Sequence, residues 1–270
     1  MKREDLVELN QWGNPGIKTE EAFFYLKDKI DFDNPISKIL EKIEQEIKEI
    51  SRELLGEEPT GNSLRRSRGD WFELIVFEAV WEAIPPNNNF VAIKLPRARV
   101  GSGGYLGNFR ESEVKDNLIK KNLYCSNPDF MVFKESEENG SGWKDMSLRK
   151  IWGDKSKEIS GTIKMENVFS IIAAKTNPRP DRRYQHLHEA TTTKTIHKLA
   201  DKPKGGIKYH TVMMKMGEKD KEVYTYPFIY NMIVNGSVKP VIDSYLVSES
   251  YTDILEFFRK IFNKSEGSRH

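Results

Sequence analysis

The chain has 270 residues, enough for one large domain or two small ones, of which 37% are hydrophobic and 31% are charged. Lys and Arg number 43 against 41 Asp and Glu, so the net charge of +2 excludes a chain that is basic throughout. Basic charge must therefore be judged segment by segment.

Cysteine use and hydropathy bear on the compartment. The only cysteine, Cys125, cannot form a disulfide within the chain, which is typical of intracellular proteins. No apolar run approaches the ~18 residues of a membrane-spanning helix, and the opening segment MKREDLVELNQW lacks the apolar core of a signal peptide. We therefore expect a cytoplasmic protein that has no membrane partner.

Two helices are predicted in the first third of the chain. In residues 36–55, Ile and Leu recur at spacings of three and four, which predicts a helix that packs on the core or, alternatively, forms an oligomer seam. Residues 70–83 form the second helix, with Asp70 as its N-cap and Pro85 as its stop. The arginine-rich run LRRSRG precedes it, either as a solvated face or as a phosphate contact.

The rest of the chain alternates between strand-like and helix-like segments. A glycine-rich loop, GSGGYLGN, lacks the spacing of a nucleotide-binding loop, so we expect no nucleotide cofactor. The polar residues 134–165 are predicted to form a hairpin or an exposed loop. Apolar and β-branched runs predict strands in residues 90–100, 129–133, 168–174, 207–216, 223–234 and 238–247. Apolar periodicity predicts helices in residues 181–199 and 251–262.

This mixture predicts an α/β fold, a mixed β-sheet flanked by helices. A helical N-terminal portion, residues 1–60, is a candidate subdomain, although no linker marks its end. Residues 61–266 would form the main domain, and residues 267–270 resemble an expression scar.

The segment IIAAKTNPRPDRRYQHLHEA, residues 171–190, carries the most chemical information. A buried strand ends at Lys175, and a helix is expected to start close to Pro180. Along that helix Arg182, Gln185 and Glu189 share one face, because they are spaced by three and four residues.

An earlier strand begins at Pro128-Asp129, so an acid at the start of one strand can meet the lysine at the end of its neighbour. Carboxylates that hold Mg²⁺ beside a lysine suit phosphodiester hydrolysis, since the metal activates water and both cations neutralise charge on the phosphate. The second carboxylate usually lies two residues before the lysine, where this chain has Ala173. Glu189 is a chemically sensible replacement.

Asp129, Lys175 and Glu189, together with the segment Arg179-Pro180-Asp181-Arg182, resemble the PD-(D/E)xK nuclease core. The resemblance is to the variant found in type II restriction endonucleases of the CCGG and CC(N)GG group, in which the metal-binding Glu comes from the helix. It covers about 20 residues around Lys175 and about 5 around Asp129. Pro180 departs from the pattern, because a small residue often stands there in the family.

The resemblance implies a Mg²⁺-dependent enzyme of a restriction–modification system that cuts double-stranded DNA at a palindrome containing CC and GG. It implies that Asp129 and Glu189 bind the metal, that Lys175 orients water, and that an auxiliary acid lies on an earlier helix. Glu73 is the best match for that acid and Glu78 the second. Arg179 and Arg182 would read guanine and Asp181 would read cytosine, which agrees with the hydrogen-bonding edges of those bases. A palindromic target favours a homodimer, with a tetramer as the larger alternative.

Basic charge is concentrated around this segment. Residues 175–208 contain nine Lys or Arg and three acidic residues, which favours a surface that faces phosphates. The predicted DNA contacts are Arg179, Asp181, Arg182, Arg183, Gln185, Lys194 and Lys198, with Lys94, Arg97 and Arg99 as a weaker second set. His186, His188 and His197 lack zinc-site spacing and are interpreted as DNA-facing or solvated.

Two other functions remain open from the sequence. The same core could belong to a structure-specific repair or recombination nuclease, which would not need a CC/GG site. Alternatively, the chain could be a DNA-binding protein without catalysis that uses only the basic helix. Mg²⁺-dependent cutting of a plain plasmid into discrete bands would separate both from a restriction enzyme.

Overall fold

The computed structural model describes residues 2–96, 104–110, 113–120, 127–136, 142–159, 161–177, 183–200, 206–225 and 240–264. Their strands are β1 (Val7–Leu9), β2 (Pro15–Ile17), β3 (Phe90–Lys94), β4 (Phe130–Lys134), β5 (Val168–Lys175), β6 (Lys208–Met213) and β7 (Ser244–Val247). Their longer helices are α1 (Thr19–Leu26), α2 (Ile36–Leu55), α3 (Gly61–Ala83), α4 (Glu113–Lys120), α5 (Arg183–Leu199), α6 (Glu218–Thr225) and α7 (Tyr251–Lys264). In this part of the chain no helix is both long and apolar enough to cross a membrane.

A five-stranded mixed sheet in the order β3-β4-β5-β6-β7 forms the centre of the fold, which confirms the α/β prediction. The pairs β3–β4 and β4–β5 are antiparallel, whereas β5–β6 and β6–β7 are parallel. This topology brings the end of β3, the start of β4 and the end of β5 to one edge of the sheet. We call this edge, at Lys94, Phe130 and Lys175, the site edge.

Helix α2 has the predicted bounds and packs its apolar stripe inward. Ile36, Ile39, Ile43 and Ile47 are buried in the same apolar core as the sheet, so the core-packing prediction is confirmed for the monomer. The helix ends at Gly56, whose positive φ of 79° is a conformation that glycine adopts without strain. Residues of the 1–60 segment contribute to this shared core. The division of the chain into a subdomain and a main domain stays a prediction.

Helix α3 begins earlier than its sequence pattern indicates. Thr60 caps it by accepting the backbone N–H of Ser63 at 3.2 Å, so Asp70 lies inside the helix and the N-cap prediction is wrong. Glycine, serine and arginine in its first turns hid the apolar periodicity. Tertiary contacts compensate, since buried Ser67 bonds the Thr19 hydroxyl at 3.0 Å. The arginine run is therefore helical.

Two further predictions fail against the described residues. Residues 142–159 form short helical turns rather than a hairpin or exposed loop, and Trp143 and Trp152 in them are buried in the core. Residues 223–225 belong to helix α6, so the strand predicted for 223–234 is wrong at its start, and its remainder lies outside the described residues. The strands predicted for 129–133, 168–174 and 207–216 and the two C-terminal helices appear with small shifts of their ends. The strand predicted for 90–100 ends at Lys94, and the one predicted for 238–247 forms only at Ser244–Val247.

Candidate active site

Asp129 and Lys175 meet at the site edge, as their positions in the sequence predict. The Lys175 ammonium lies 2.8 Å from Oδ1 and 2.7 Å from Oδ2 of Asp129. Oδ2 also accepts the backbone N–H of Ala174 at 2.7 Å. Because β4 begins beside the end of β5, the acid is fixed to the backbone of the strand that carries the lysine. This pairing defines the centre of the candidate site.

Glu73, on the inner face of α3, is the third charged group of the centre. Its carboxylate lies 3.6 Å from the Lys175 ammonium and 3.4 Å from the Lys94 ammonium. Burial, and then the negative charge of Asp129, raise the pKa of Glu73 to about 7, although both lysines oppose the shift. The acids therefore bring more negative charge to this edge than its buried surroundings readily accommodate.

Lys175 keeps its proton in these surroundings. Burial alone would lower the pKa of its ammonium, but Asp129, Glu73 and Glu189 raise it above the ordinary value of lysine. Its side chain is 28% exposed, so the charged end is within reach of a ligand that enters from solvent. The group can therefore act as a fixed positive charge and hydrogen-bond donor, and it is a poor general base.

Helix α5, which connects β5 to the parallel strand β6, carries Glu189, whose negative charge acts on Lys175. Glu189 is only 3% exposed, and each of its carboxylate oxygens has a donor. Oε1 accepts from the Gln185 side chain at 3.0 Å, and Oε2 accepts from the Tyr209 hydroxyl at 3.1 Å. Tyr209 was missed by sequence reasoning, because one tyrosine in a strand has no spacing that marks it.

The two candidates for the auxiliary acid, Glu73 and Glu78, lie in different surroundings. Glu73 lies at the centre, whereas Glu78, one and a half turns further along α3, pairs with Lys27 at 2.5 Å. Lys94, which was predicted to contact DNA, lies beside an acid of the site. Its ammonium lies between Glu73 and the ring of Trp152, 3.8 Å from the ring centroid, and beside a cleft of about 610 Å³. It therefore faces the acid centre.

The donor set suits a hard divalent cation. Asp129, Glu73 and Glu189 offer oxygen ligands, and Mg²⁺ commonly uses one or two carboxylates with water and substrate phosphate. A cation bound here would offset the burial and the negative charge of Asp129 that together raise the pKa of Glu73. Within the described ranges no three His, Cys, Asp or Glu side chains are grouped closely enough to hold a metal ion on their own.

Only some of the predicted DNA contacts can be located. Arg179, Asp181 and Arg182 lie outside the described residues, and so does the side chain of Arg183 at the start of α5. Gln185 bonds Glu189, as described above. Lys198 is exposed on α5, but Lys194 is 11% exposed and pairs with Asp243 at 2.6 Å. Lys194 thus links α5 to the segment before β7. Although Lys194 and Lys198 are four residues apart on one helix, only Lys198 is exposed to solvent.

The prediction for the histidines is wrong at two of the three positions. His186 is buried, with its Nδ1 atom 2.5 Å from the Tyr224 hydroxyl, and burial followed by the charge of Lys175 lowers its pKa to about 4. His197 is buried as well and bonds the Tyr105 hydroxyl at 2.9 Å. Only His188 is exposed. Two buried histidines thus anchor α5 to tyrosines of other segments.

Comparison with known proteins places this geometry in context. A family model described as Cfr10I/Bse634I restriction endonuclease matches residues 6–264. The type II restriction enzyme Cfr10I of Citrobacter freundii is 28% identical over 240 residues, covering 80% of this chain and 84% of that enzyme.

The fold has counterparts among solved structures. The type IIF restriction endonuclease Bse634I, in a crystal structure with cognate DNA, matches with a TM-score of 0.78 and 21% identity. That match covers 97% of this chain and 99% of the other. A second Bse634I structure matches with a TM-score of 0.77, also at 21% identity, over 97% of this chain and 99% of the other. At this identity the likeness concerns the fold.

Proposed function

The chain belongs to the Cfr10I/Bse634I restriction endonuclease family, and from this premise we propose that it is a Mg²⁺-dependent enzyme that cuts double-stranded DNA at a palindromic site containing CC and GG. Family membership makes it a type II site-specific deoxyribonuclease; the metal and the target sequence are the proposal. The observation that carries it is the Lys175 ammonium bonded to both oxygens of Asp129, with Glu73 beside them.

The residues of the site divide the chemistry between them. Asp129 and Glu189 would hold Mg²⁺, which when bound activates water and neutralises charge on the scissile phosphate. Lys175, protonated and partly exposed, donates hydrogen bonds to the attacking water and to the negative charge that develops on the phosphate oxygens. Glu73 adds a carboxylate that balances the positive charges of Lys94 and Lys175.

Base reading is assigned to the segment between Lys175 and helix α5. Arg179 and Arg182 would donate to guanine O6 and N7, and Asp181 would accept from the cytosine amino group. Arg183 and Lys198 would contact phosphates, which fix the register without reading sequence. The support is the order of residues along the chain, since the acid–lysine centre and α5 bracket this segment.

A palindromic target also leads to a homodimer, because two copies related by a twofold axis can present the same centre to both strands. A dimer of dimers would bind two sites. Analytical ultracentrifugation with and without a cognate duplex distinguishes these states by mass.

The experiment that tests the proposed function compares short duplexes. A duplex with the CC/GG palindrome and duplexes with one substituted base pair are incubated with the protein in Mg²⁺ and in EDTA. We expect Mg²⁺-dependent cutting of both strands to give 5′-phosphate ends, with each substitution costing about 1–3 kcal/mol of discrimination. Equal cutting of all duplexes would contradict the base assignment, and cutting in EDTA would contradict the metal assignment.

A further inference from the structure

The Glu189 carboxylate is held from two sides by groups of unequal rigidity. Gln185 donates to Oε1 at 3.0 Å from one turn earlier on the same helix, and it is exposed. Tyr209 donates to Oε2 at 3.1 Å from strand β6, and it is 1% exposed. An exposed amide on a flexible side chain can leave its partner, whereas a buried ring cannot move without disturbing the core.

Tyr209 also has a fixed relation to the strand that carries Lys175. β6 pairs with β5 in parallel, and Tyr209 lies opposite Ile171 in that register. The backbone N–H of Tyr209 donates to Asp243 Oδ2 at 2.8 Å, and Asp243 in turn pairs with Lys194 of α5. The same strand position is therefore tied to the helix that bears Glu189 by a side-chain contact and by a backbone contact.

We propose that Tyr209 is a positioning residue of the nuclease centre: its hydroxyl fixes the orientation of the Glu189 carboxylate and so sets the affinity of the site for its divalent cation. This inference rests on the proposed function, since it takes Glu189 as a metal ligand. Hydrogen bonds to ligating carboxylates commonly matter this much, and their loss typically costs about 10–100-fold in metal affinity or activity.

The test replaces the hydroxyl alone. Tyr209→Phe keeps the buried ring and removes the donor, and Tyr251→Phe is the matched control. Tyr251 also donates to a glutamate, Glu82 Oε2 at 2.9 Å, but in the packing of α7 against α3. Mn²⁺ affinity of each full-length variant is measured by electron paramagnetic resonance with a cognate duplex, and cleavage is measured across a Mn²⁺ titration.

We expect Tyr209→Phe to weaken Mn²⁺ binding by about 10–100-fold and to slow cleavage at low Mn²⁺, with recovery at high Mn²⁺ and an unchanged Kd for DNA. Tyr251→Phe should bind Mn²⁺ with the affinity of the natural protein. This should hold even if both variants have similarly lowered unfolding temperatures, because a loss of stability alone does not weaken the metal site. Unchanged Mn²⁺ affinity in Tyr209→Phe overturns the inference. If that variant does not fold, ring-fluorinated tyrosine at position 209 alters the donor with the packing kept, and it must alter Mn²⁺ affinity.

The variant Glu189→Gln distinguishes failure of the positioning role of Tyr209 from failure of the proposed metal-binding role of Glu189. If Glu189→Gln loses Mn²⁺ binding and Tyr209→Phe does not, only the positioning role is refuted. If Glu189→Gln binds Mn²⁺ and cuts DNA like the natural protein, the metal role of Glu189 fails and the inference fails with it. If both variants lose affinity, both are supported.

Discussion

Replacing Lys175 with Met removes the only part of that side chain that contacts the acids and keeps its length and apolar stem. The lost ammonium makes charge-assisted hydrogen bonds of 2.7 and 2.8 Å to Asp129 and lies 3.6 Å from Glu73. Loss of one preorganised donor to a developing charge typically raises a barrier by about 2.7–4 kcal/mol. Single-turnover cleavage of a cognate duplex should therefore be at least about 10²–10³-fold slower.

Lys27→Met is a closely matched control. Lys27 pairs with Glu78, and the side-chain exposures of that pair, 31% and 15%, nearly equal the 28% and 15% of Lys175 and Asp129. Both variants break an ion pair with a half-buried carboxylate, so both should lose some stability, but only Lys175→Met should lose cleavage.

DNA binding, measured by fluorescence anisotropy in Ca²⁺, should stay within a few-fold of the natural protein for both lysine variants. A folded Lys175→Met variant that cuts within about tenfold of the natural rate would refute the role of the lysine, since the loss of one such donor costs more than this. Loss of DNA binding together with cleavage would show that the lysine serves binding and not chemistry.

Three further outcomes are expected. Glu73→Gln should slow cleavage at least about tenfold, while Glu78→Gln on the same helix should not, as measured in the same single-turnover assay. Burial lowers the pKa of His210 to about 4, so its stabilising contribution should be present above pH 6.5 and lost as the pH falls toward 4, by up to about 3 kcal/mol. Urea unfolding should show that the free energy of unfolding falls less steeply with decreasing pH in His210→Gln than in the natural protein. The same pH dependence in both proteins would contradict this. Arg182→Ala should relax selection at one base pair by about 1–3 kcal/mol, measured with substituted duplexes, whereas a uniform loss of binding would make it a phosphate contact.

The sequence was informative where chemistry or periodicity is local. The stripe of α2 predicted its bounds, and the strand ends at Asp129 and Lys175 predicted that an acid and a lysine would meet at one edge. Glu73 could be ranked above Glu78 only through the family resemblance, because both lie on one helix and five residues apart.

The remaining features depend on contacts between distant parts of the chain. Tyr209 reaches Glu189 only because β6 returns beside β5 after the helical crossover, a relation that no spacing records. The start of α3 at Gly61 is set by the Thr60 cap and by packing against α1, which outweigh the weak helix propensity of its glycines and serines. His186 and His197 are buried, and each bonds the hydroxyl of a tyrosine that is distant in the sequence.

The most direct test of the central claim is a digest of long phage DNA with the natural protein and with Lys175→Met, each in Mg²⁺ and in EDTA, followed by sequencing of all new ends. We expect discrete fragments only for the natural protein in Mg²⁺, with ends that share one palindrome containing CC and GG. Intact DNA under every condition, or ends scattered without a common sequence, would contradict it.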